Sequence, residues 1–221
     1  MASVLRTALP TNKERSAAGQ ALREQVKRGE LGRWRPAEDR PDPLDLIEEA
    51  HEGRLQRLVP VRVGRMMASP YAFLRGSAAL MAEDFAHLPR TGVEPVICGD
   101  AHLGNFGFYA SPERDLVIDL NDFDEAHPGG WEWDLRRLAA SIWVAGRHNQ
   151  ATEQQCESAV ASMASHYREH VRWLAGQPLL ARSFERLDVD RLHTTASDAS
   201  LRTEILRASR HARNRTSDRA L

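Results

Sequence analysis

The spacing of apolar residues along this chain changes several times, and each change predicts a different element. Leu74, Ala78, Met81, Phe85 and Leu88 recur at the i, i+4, i+7, i+11, i+14 intervals of one helical face. Phe73, Ala79 and Leu80 add apolar surface elsewhere, so the pattern predicts one deeply buried helix over 71–88. Ser69 is placed to cap it and Pro70 to occupy its first position, where a missing N–H costs nothing. Three short runs follow: Val93 to Cys98, Phe106 to Ala110, and Leu116 to Leu120. Rich in β-branched and aromatic residues and bounded by turn formers, they predict strands. Ser111-Pro112-Glu113-Arg114 predicts the turn that makes the last two a hairpin. After Pro128-Gly129-Gly130 the helical period returns, from Asp134 through Leu135, Leu138, Ala139, Ile142 and Ala145. Cys156, Val160, Met163, Tyr167, Val171 and Leu174 mark a long second helix.

The flanks are more polar. Asn12 to Leu31 reads as a polar helix with a thin apolar stripe, and the proline-rich, charged segment Arg33 to Pro43 as an extended linker. Asp42-Pro43 repeats the cap-then-proline signal, followed by Leu46, Ile47, Ala50 and Leu55 on a roughly helical stripe. This divides the chain into a polar segment, residues 1–41, and a main domain, residues 42–221. Beyond Pro178 the pattern weakens, and the stretch bearing Arg202, Arg207, Arg210, Arg213, Arg215 and Arg219 is expected to fray. Helices around a small strand cluster define an α+β class that is mostly helical.

Composition narrows the partners. The 221 residues are 42% hydrophobic and 28% charged, ordinary for a globular protein, and long enough for one good core or for one lobe of something larger. A formal net charge of −1 provides no global field for nucleic acid or an anionic membrane surface, so neither is expected as a partner. The apolar patch in Met1 to Pro10 is too short for a signal-peptide core, and no window suits a membrane span. Cys98 and Cys156 lack metal-type spacing and are expected as reduced thiols, which makes the cytoplasm the expected compartment.

The candidate chemistry lies where the first strand stops. Cys98-Gly99-Asp100-Ala101-His102-Leu103-Gly104-Asn105 ends an apolar run in a Gly-Asp pair, with Asn105 five residues after Asp100. A loop carboxylate can accept a proton from an attacking hydroxyl, and Asn and Asp oxygens suit Mg²⁺. The second apolar run likewise ends in carboxylates, Asn121-Asp122-Phe123-Asp124. Asp122 and Asp124, two apart on an extended segment, would face one side and share metal ions. His102 is expected to brace the loop rather than to contact phosphate. Arg75 either reaches a phosphate or pairs with Glu83 or Asp84. Trp131 and Trp133 are expected as packing anchors.

Gly99-Asp100-Ala101-His102-Leu103-Gly104-Asn105 resembles the catalytic loop of aminoglycoside-phosphotransferase-type and protein-kinase-like enzymes, which typically read His-Gly-Asp-x-His-x-Gly-Asn. Asp122-Phe123-Asp124 resembles their metal-binding Asp segment, and Asp134 the Asp that orients the catalytic loop from a helix start. More closely, the chain from about Trp34 to Asn149 resembles an uncharacterised bacterial family, domain-of-unknown-function family 2252. The segments that carry this resemblance are Met67-Ala68-Ser69-Pro70-Tyr71-Ala72-Phe73-Leu74-Arg75-Gly76, the Cys-Gly-Asp loop, and Asn121-Asp122-Phe123-Asp124-Glu125. The resemblance implies a kinase-like catalytic lobe with the site on a small hairpin. It further implies Asp100 as base, Asn105, Asp122 and Asp124 as metal ligands, Mg²⁺ or Mn²⁺ with ATP as cofactors, and a small-molecule or protein hydroxyl as acceptor.

Three departures qualify that implication. Cys98 stands where a His usually precedes Gly-Asp, which removes a hydrogen-bonding support. Asp119 competes with Asp122 for the metal role, but its place inside an apolar run points it across the hairpin. There is no Gly-x-Gly, and the only lysines are Lys13 and Lys27. Because members of the resembling family are commonly about twice as long, the chain is expected to be C-terminally truncated and to lack much of a nucleotide-binding half. Two other readings remain open: a catalytically silent binding module of the same fold, and a metal-dependent phosphoesterase drawing on His127 or His148.

Overall fold

The structure, a computed structural model, describes residues 10–196 and 198–213. Helix α1 (Asn12–Gln25) opens with a capping box in which Thr11 and Glu14 satisfy each other's backbone N–H groups. A short α2 (Arg28–Leu31) follows, so the predicted polar helix is two pieces separated at Val26. The proline-rich segment after it is irregular but not detached. Arg40 grips both carboxylate oxygens of Asp84 at 2.5 and 2.9 Å. Helix α3 (Pro43–Glu49) begins at Asp42, whose carboxylate accepts the Leu44 N–H, as the cap-then-proline signal predicts.

Helix α4 (Val59–Met66) leads into α5 (Pro70–Gly76), capped by Ser69, and α6 (Ala78–Ala86). The single helix predicted over 71–88 is therefore broken at Ser77, which takes φ −116° and ψ 37°. Next to the break α4 packs closely on α5. A Cβ on Gly76 would lie 2.5 Å from Cγ of buried Met66, so α4 and α5 approach only because residue 76 has no side chain.

The strands are few. Strand β1 shrinks from the predicted six residues to Val96–Ile97 and pairs antiparallel with β4 (His127–Pro128). Strands β2 (Phe106–Ala110) and β3 (Leu116–Leu120) form the predicted hairpin, in register from Phe106 opposite Leu120 to Ala110 opposite Leu116. Its turn places Arg114 at φ 67°.

Helix α7 (Trp131–His148) and helix α8 (Glu153–Gly176) form an antiparallel pair. Trp131 stacks on Tyr167 at one end of it, and Gly146 abuts Cys156 at the other. Helix α7 starts three residues before the predicted Asp134. Short α9 (Leu179–Ser183) and α10 (Val189–Thr195) precede α11 (Ala199–Arg213). The stretch expected to fray is thus helical as far as Arg213, with Ile205 buried. Ile205 packs with Val189 and Ala196 against Phe108 and Leu116 of the hairpin. Arg215 and Arg219 lie outside the described residues. The architecture is α+β and mostly helical, and among the described residues no helix is long and apolar enough to cross a membrane.

Candidate functional site

The site is built on one face of α7. Asp134, Arg137 and Ser141 stand at i, i+3 and i+7, one above another on the helix. Each holds a different part of the loop that follows β1. The Asp134 carboxylate accepts the N–H of Cys98 at 2.7 Å and of Gly99 at 2.9 Å. Arg137 donates from Nε to Oδ1 of Asp100 at 2.6 Å. Ser141 Oγ accepts the N–H of Leu103 at 3.1 Å. Arg137 and Ser141 are among the most deeply buried side chains, at 1% and 0% exposure. Sequence reasoning found Asp134 but missed Arg137 and Ser141. Their i+3 and i+7 spacing from Asp134, interrupting an apolar stripe, was the available signal.

Arg137 also donates to the Leu74 carbonyl at 2.6 Å and to Met81 Sδ at 2.7 Å, tying the loop to α5 and α6. Burial pushes the Asp100 carboxyl above its ordinary value, against the opposing pull of the Arg137 guanidinium. Oδ1 of Asp100 is engaged by Arg137, whereas Oδ2 faces His102 Nε2 at 3.6 Å. His102 Nδ1 accepts the Gly104 N–H, so the neutral ring carries its proton on Nε2. Burial first, and the Arg137 and Arg75 charges next, hold its pKa down to about 4. The ring is 2% exposed and braces the loop, as expected.

Gly99 is required on two counts. It takes φ +81°, and a Cβ there would lie 2.4 Å from the Glu125 carbonyl oxygen. That close approach lays residues 122–125 against the Asp100 loop. Asn105 is buried, and its amide donates to the Asp100 carbonyl at 2.8 Å, leaving Oδ1 as its oxygen donor. The Asn105 carbonyl in turn accepts the Asn121 N–H at 3.0 Å. Cys98 Sγ donates to the Asp122 carbonyl at 3.2 Å. The thiol at this position therefore does not remove a support; it ties the carboxylate segment to the loop. Burial raises the Cys98 thiol pKa, so it stays protonated.

Asp122 and Asp124 are exposed and lie outside the strands. Asp124 lies in the turn closed by the Ala126 N–H on the Phe123 carbonyl, Asp122 just ahead of it, and the Asp124 N–H points at Asp122 Oδ1, 3.4 Å away. Asp122 is the carboxylate brought to Asp100: its charge acts on Asp100, on His102 and on Glu125. Asp119 lies on β3 opposite Gly107 and accepts the neighbouring Leu120 N–H. Glu125, named in the sequence only as part of a resembling segment and not as a site residue, joins the cluster, and burial together with the Asp100, Asp122 and Asp124 charges raises its pKa. The donors are oxygens of the kind Mg²⁺ takes, from Asn105, Asp122 and Asp124. Among the described residues, however, no three His, Cys, Asp or Glu side chains gather closely enough to hold an ion by themselves. His148 stacks on Tyr71, and His127 bonds the Glu125 carbonyl and meets Trp133 edge-on.

Arg75 does not pair with Asp84, which Arg40 occupies, nor with Glu83. It is exposed, and its Nε lies 3.3 Å from where a Cβ on Gly104 would stand. Trp131 and Trp133 are packing residues as expected: Trp131 Nε1 donates to Thr91 Oγ1, and Trp133 meets Phe85.

No curated protein and no solved structure matches the chain. A family model described as an uncharacterized protein conserved in bacteria matches residues 54–221, beginning after the expected Trp34 and running well past Asn149. The match covers about three quarters of the sequence and includes the whole Asp100 loop and every α7 residue that holds it, so the chain belongs to the bacterial domain-of-unknown-function family 2252.

Proposed function

We propose that this chain is a kinase-like phosphotransferase module that uses Mg-ATP to phosphorylate a hydroxyl on a small molecule or protein. The observation that carries the reading is the fixed Asp100 loop. Asp134 anchors the loop's backbone, Arg137 fixes one oxygen of Asp100, Asn105 holds the Asp100 carbonyl, and Cys98 ties the Asp122 segment to the loop. In-line phosphoryl transfer asks the protein mainly for positioning and for charge stabilisation.

Asp100 Oδ2 is the proton acceptor for the incoming hydroxyl, with Oδ1 committed to Arg137. Asn105 Oδ1 and the carboxylates of Asp122 and Asp124 would hold Mg²⁺, which when bound neutralises phosphate charge. His102, neutral above its low pKa, keeps the loop closed through the Gly104 N–H. The only lysines, Lys13 and Lys27, lie on α1 and just ahead of α2, so cationic help comes from arginine.

Calorimetric titration of Mn²⁺ or Mg²⁺ with and without ATP, repeated on Asp122→Ala, is the first test. Metal binding that strengthens with ATP and is lost in the variant supports the reading. Transfer is then followed with Asp100→Asn, which keeps an acceptor for Arg137 and so spares the fold. A fall of about 10²–10⁴-fold in rate is expected for loss of the base. Wild-type turnover by Asp100→Asn would overturn the assignment. Nucleotide and metal binding without transfer would make the chain a silent binding module of the same fold, the second reading.

A further inference from the structure

Between Gly53 and Ala82 the chain carries five arginines, Arg54, Arg57, Arg62, Arg65 and Arg75, and no Asp or Glu, in a protein whose net charge is −1. Charge is therefore segregated, and it is segregated at the site. Among the described residues none of the five forms a salt bridge, although Arg40, Arg90, Arg137, Arg186, Arg191 and Arg207 all do.

Two of the five, Arg75 and Arg62, lie towards the Asp100 loop, with Arg54 behind them. Arg75, at the end of α5, lies over Gly104, where the missing side chain lets the guanidinium approach the backbone. Arg62, on α4, donates from Nη2 to the Gly76 carbonyl at 2.8 Å, which places it beside the residue that follows Arg75. Its Nε is buried without a hydrogen-bond partner, a donor of the kind folded proteins rarely leave unused. Arg54 donates to the Ala50 carbonyl at 2.9 Å and adds a like charge that Arg62 feels, while Arg62 in turn senses Asp100 and Glu125. The Asp100 loop is thus flanked by carboxylates from residues 122–125 and by guanidiniums from the α4–α5 side. Holding unpaired like charges together disfavours the free protein, and an anion relieves that cost. Guanidiniums match phosphate oxygens through parallel N–H bonds.

We propose that Arg62 and Arg75 form a phosphate-binding face beside the Asp100 loop. It extends the phosphotransferase reading by naming the chemistry of a ligand. It also rests on a charge placement that holds whether or not the site turns over. The phosphate belongs either to the nucleotide or to a phosphorylated acceptor.

The test is calorimetric titration of the full chain with ATP and, separately, with glucose 6-phosphate as a plain phosphomonoester, each without metal. Both titrations are repeated on Arg75→Gln, Arg62→Gln and Asp100→Asn, with Arg168→Gln on α8 as a remote control. Arg75 is exposed, so its substitution leaves the fold intact. Arg62 holds a backbone carbonyl, so circular dichroism must first show that its variant is folded. Affinity for at least one ligand should fall about tenfold in Arg75→Gln, stay unchanged in Arg168→Gln, and drop as sodium chloride is raised. Dependence of ATP binding on Arg75 assigns the face to the nucleotide. Dependence of glucose 6-phosphate binding assigns it to the acceptor. Binding retained by Asp100→Asn with no transfer by the wild type would leave this face standing and remove the phosphotransferase reading. Failure of both ligands to bind, or equal binding by Arg75→Gln, overturns the proposal.

Discussion

Arg137 Nε lies 2.6 Å from Asp100 Oδ1, an ion pair in which the guanidinium is 1% exposed and the carboxylate residue 8%. Such a pair gives little net stability over apolar replacements, but breaking it from one side strands a buried charge. Arg137→Met, close to the original in length, is therefore expected to cost about 3–5 kcal/mol in urea unfolding. Arg137→Met combined with Asp100→Leu should recover a large part of that loss. Equal instability of the single and double variants would show that the pair is not what Arg137 supplies.

Asp134 accepts two adjacent backbone N–H groups, from Cys98 and Gly99. Asp134→Ala leaves both donors without a protein partner, an expected cost of about 2–4 kcal/mol. The diagnostic readout is amide hydrogen exchange: Cys98 and Gly99 should lose protection while the interior of α8 keeps its own. Unchanged protection at those two amides would mean the loop is held by other contacts.

His102 makes stability fall with acidification. Its pKa is about 4 in the fold against 6.5 for a free His, so below pH 6.5 the unfolded chain takes up a proton that the folded chain refuses. The loss begins near pH 6.5, grows as pH falls, and levels off near pH 4 at up to about 3 kcal/mol. The Asp100 carboxyl, shifted upward, works in the opposite sense, because the folded chain takes up that proton first. The contribution of His102 is isolated by comparing urea midpoints of the wild type and His102→Gln from pH 7 to pH 4. The gap should change in favour of the variant towards acid, and a constant gap would exclude this role.

Gly99→Ala combines a left-handed backbone with a Cβ 2.4 Å from the Glu125 carbonyl oxygen. Strain of about 1–2 kcal/mol from the backbone adds to displacement of the 122–125 turn. A lower thermal midpoint is expected, together with a shift of the Asp122 and Glu125 amide resonances. Gly53, also at positive φ but with open space where a Cβ would stand, is the control that should show the backbone part alone.

The Asp100–Asn105 spacing and the Asp122–Asp124 pair were legible as local sequence patterns, whereas the role of Asp134 came from the resemblance to kinase-like catalytic loops. Arg137 and Ser141 were harder to find because their burial depends on the loop returning to α7, a contact across 37 and 38 residues. The break at Ser77 was hidden by an apolar period that runs straight through it, and Gly76-Ser77 was the one local sign. Helix α11 was obscured by its arginines. Its packing rests on Ile205 and Ser209, two buried positions in an otherwise solvated sequence. Short β1 was overread because Val93 to Val96 are exposed and only Ile97 and Cys98 of that run turn inward.

The interruption between α5 and α6 has a consequence for inheritance of the site. In an unbroken helix the carbonyls of Leu74 and Gly76 would each accept an N–H four residues later. Here the Leu74 carbonyl accepts Arg137 alongside the Ser77 N–H and hydroxyl, and the Gly76 carbonyl accepts Arg62. The length of α5 therefore acts as a ruler. One residue added or removed between Ser69 and Ser77 would rotate both sockets about 100° around the helix axis. Two arginines far away in sequence would lose their berths together, so the spacing from cap to break should tolerate substitution of its side chains far better than any change in its count.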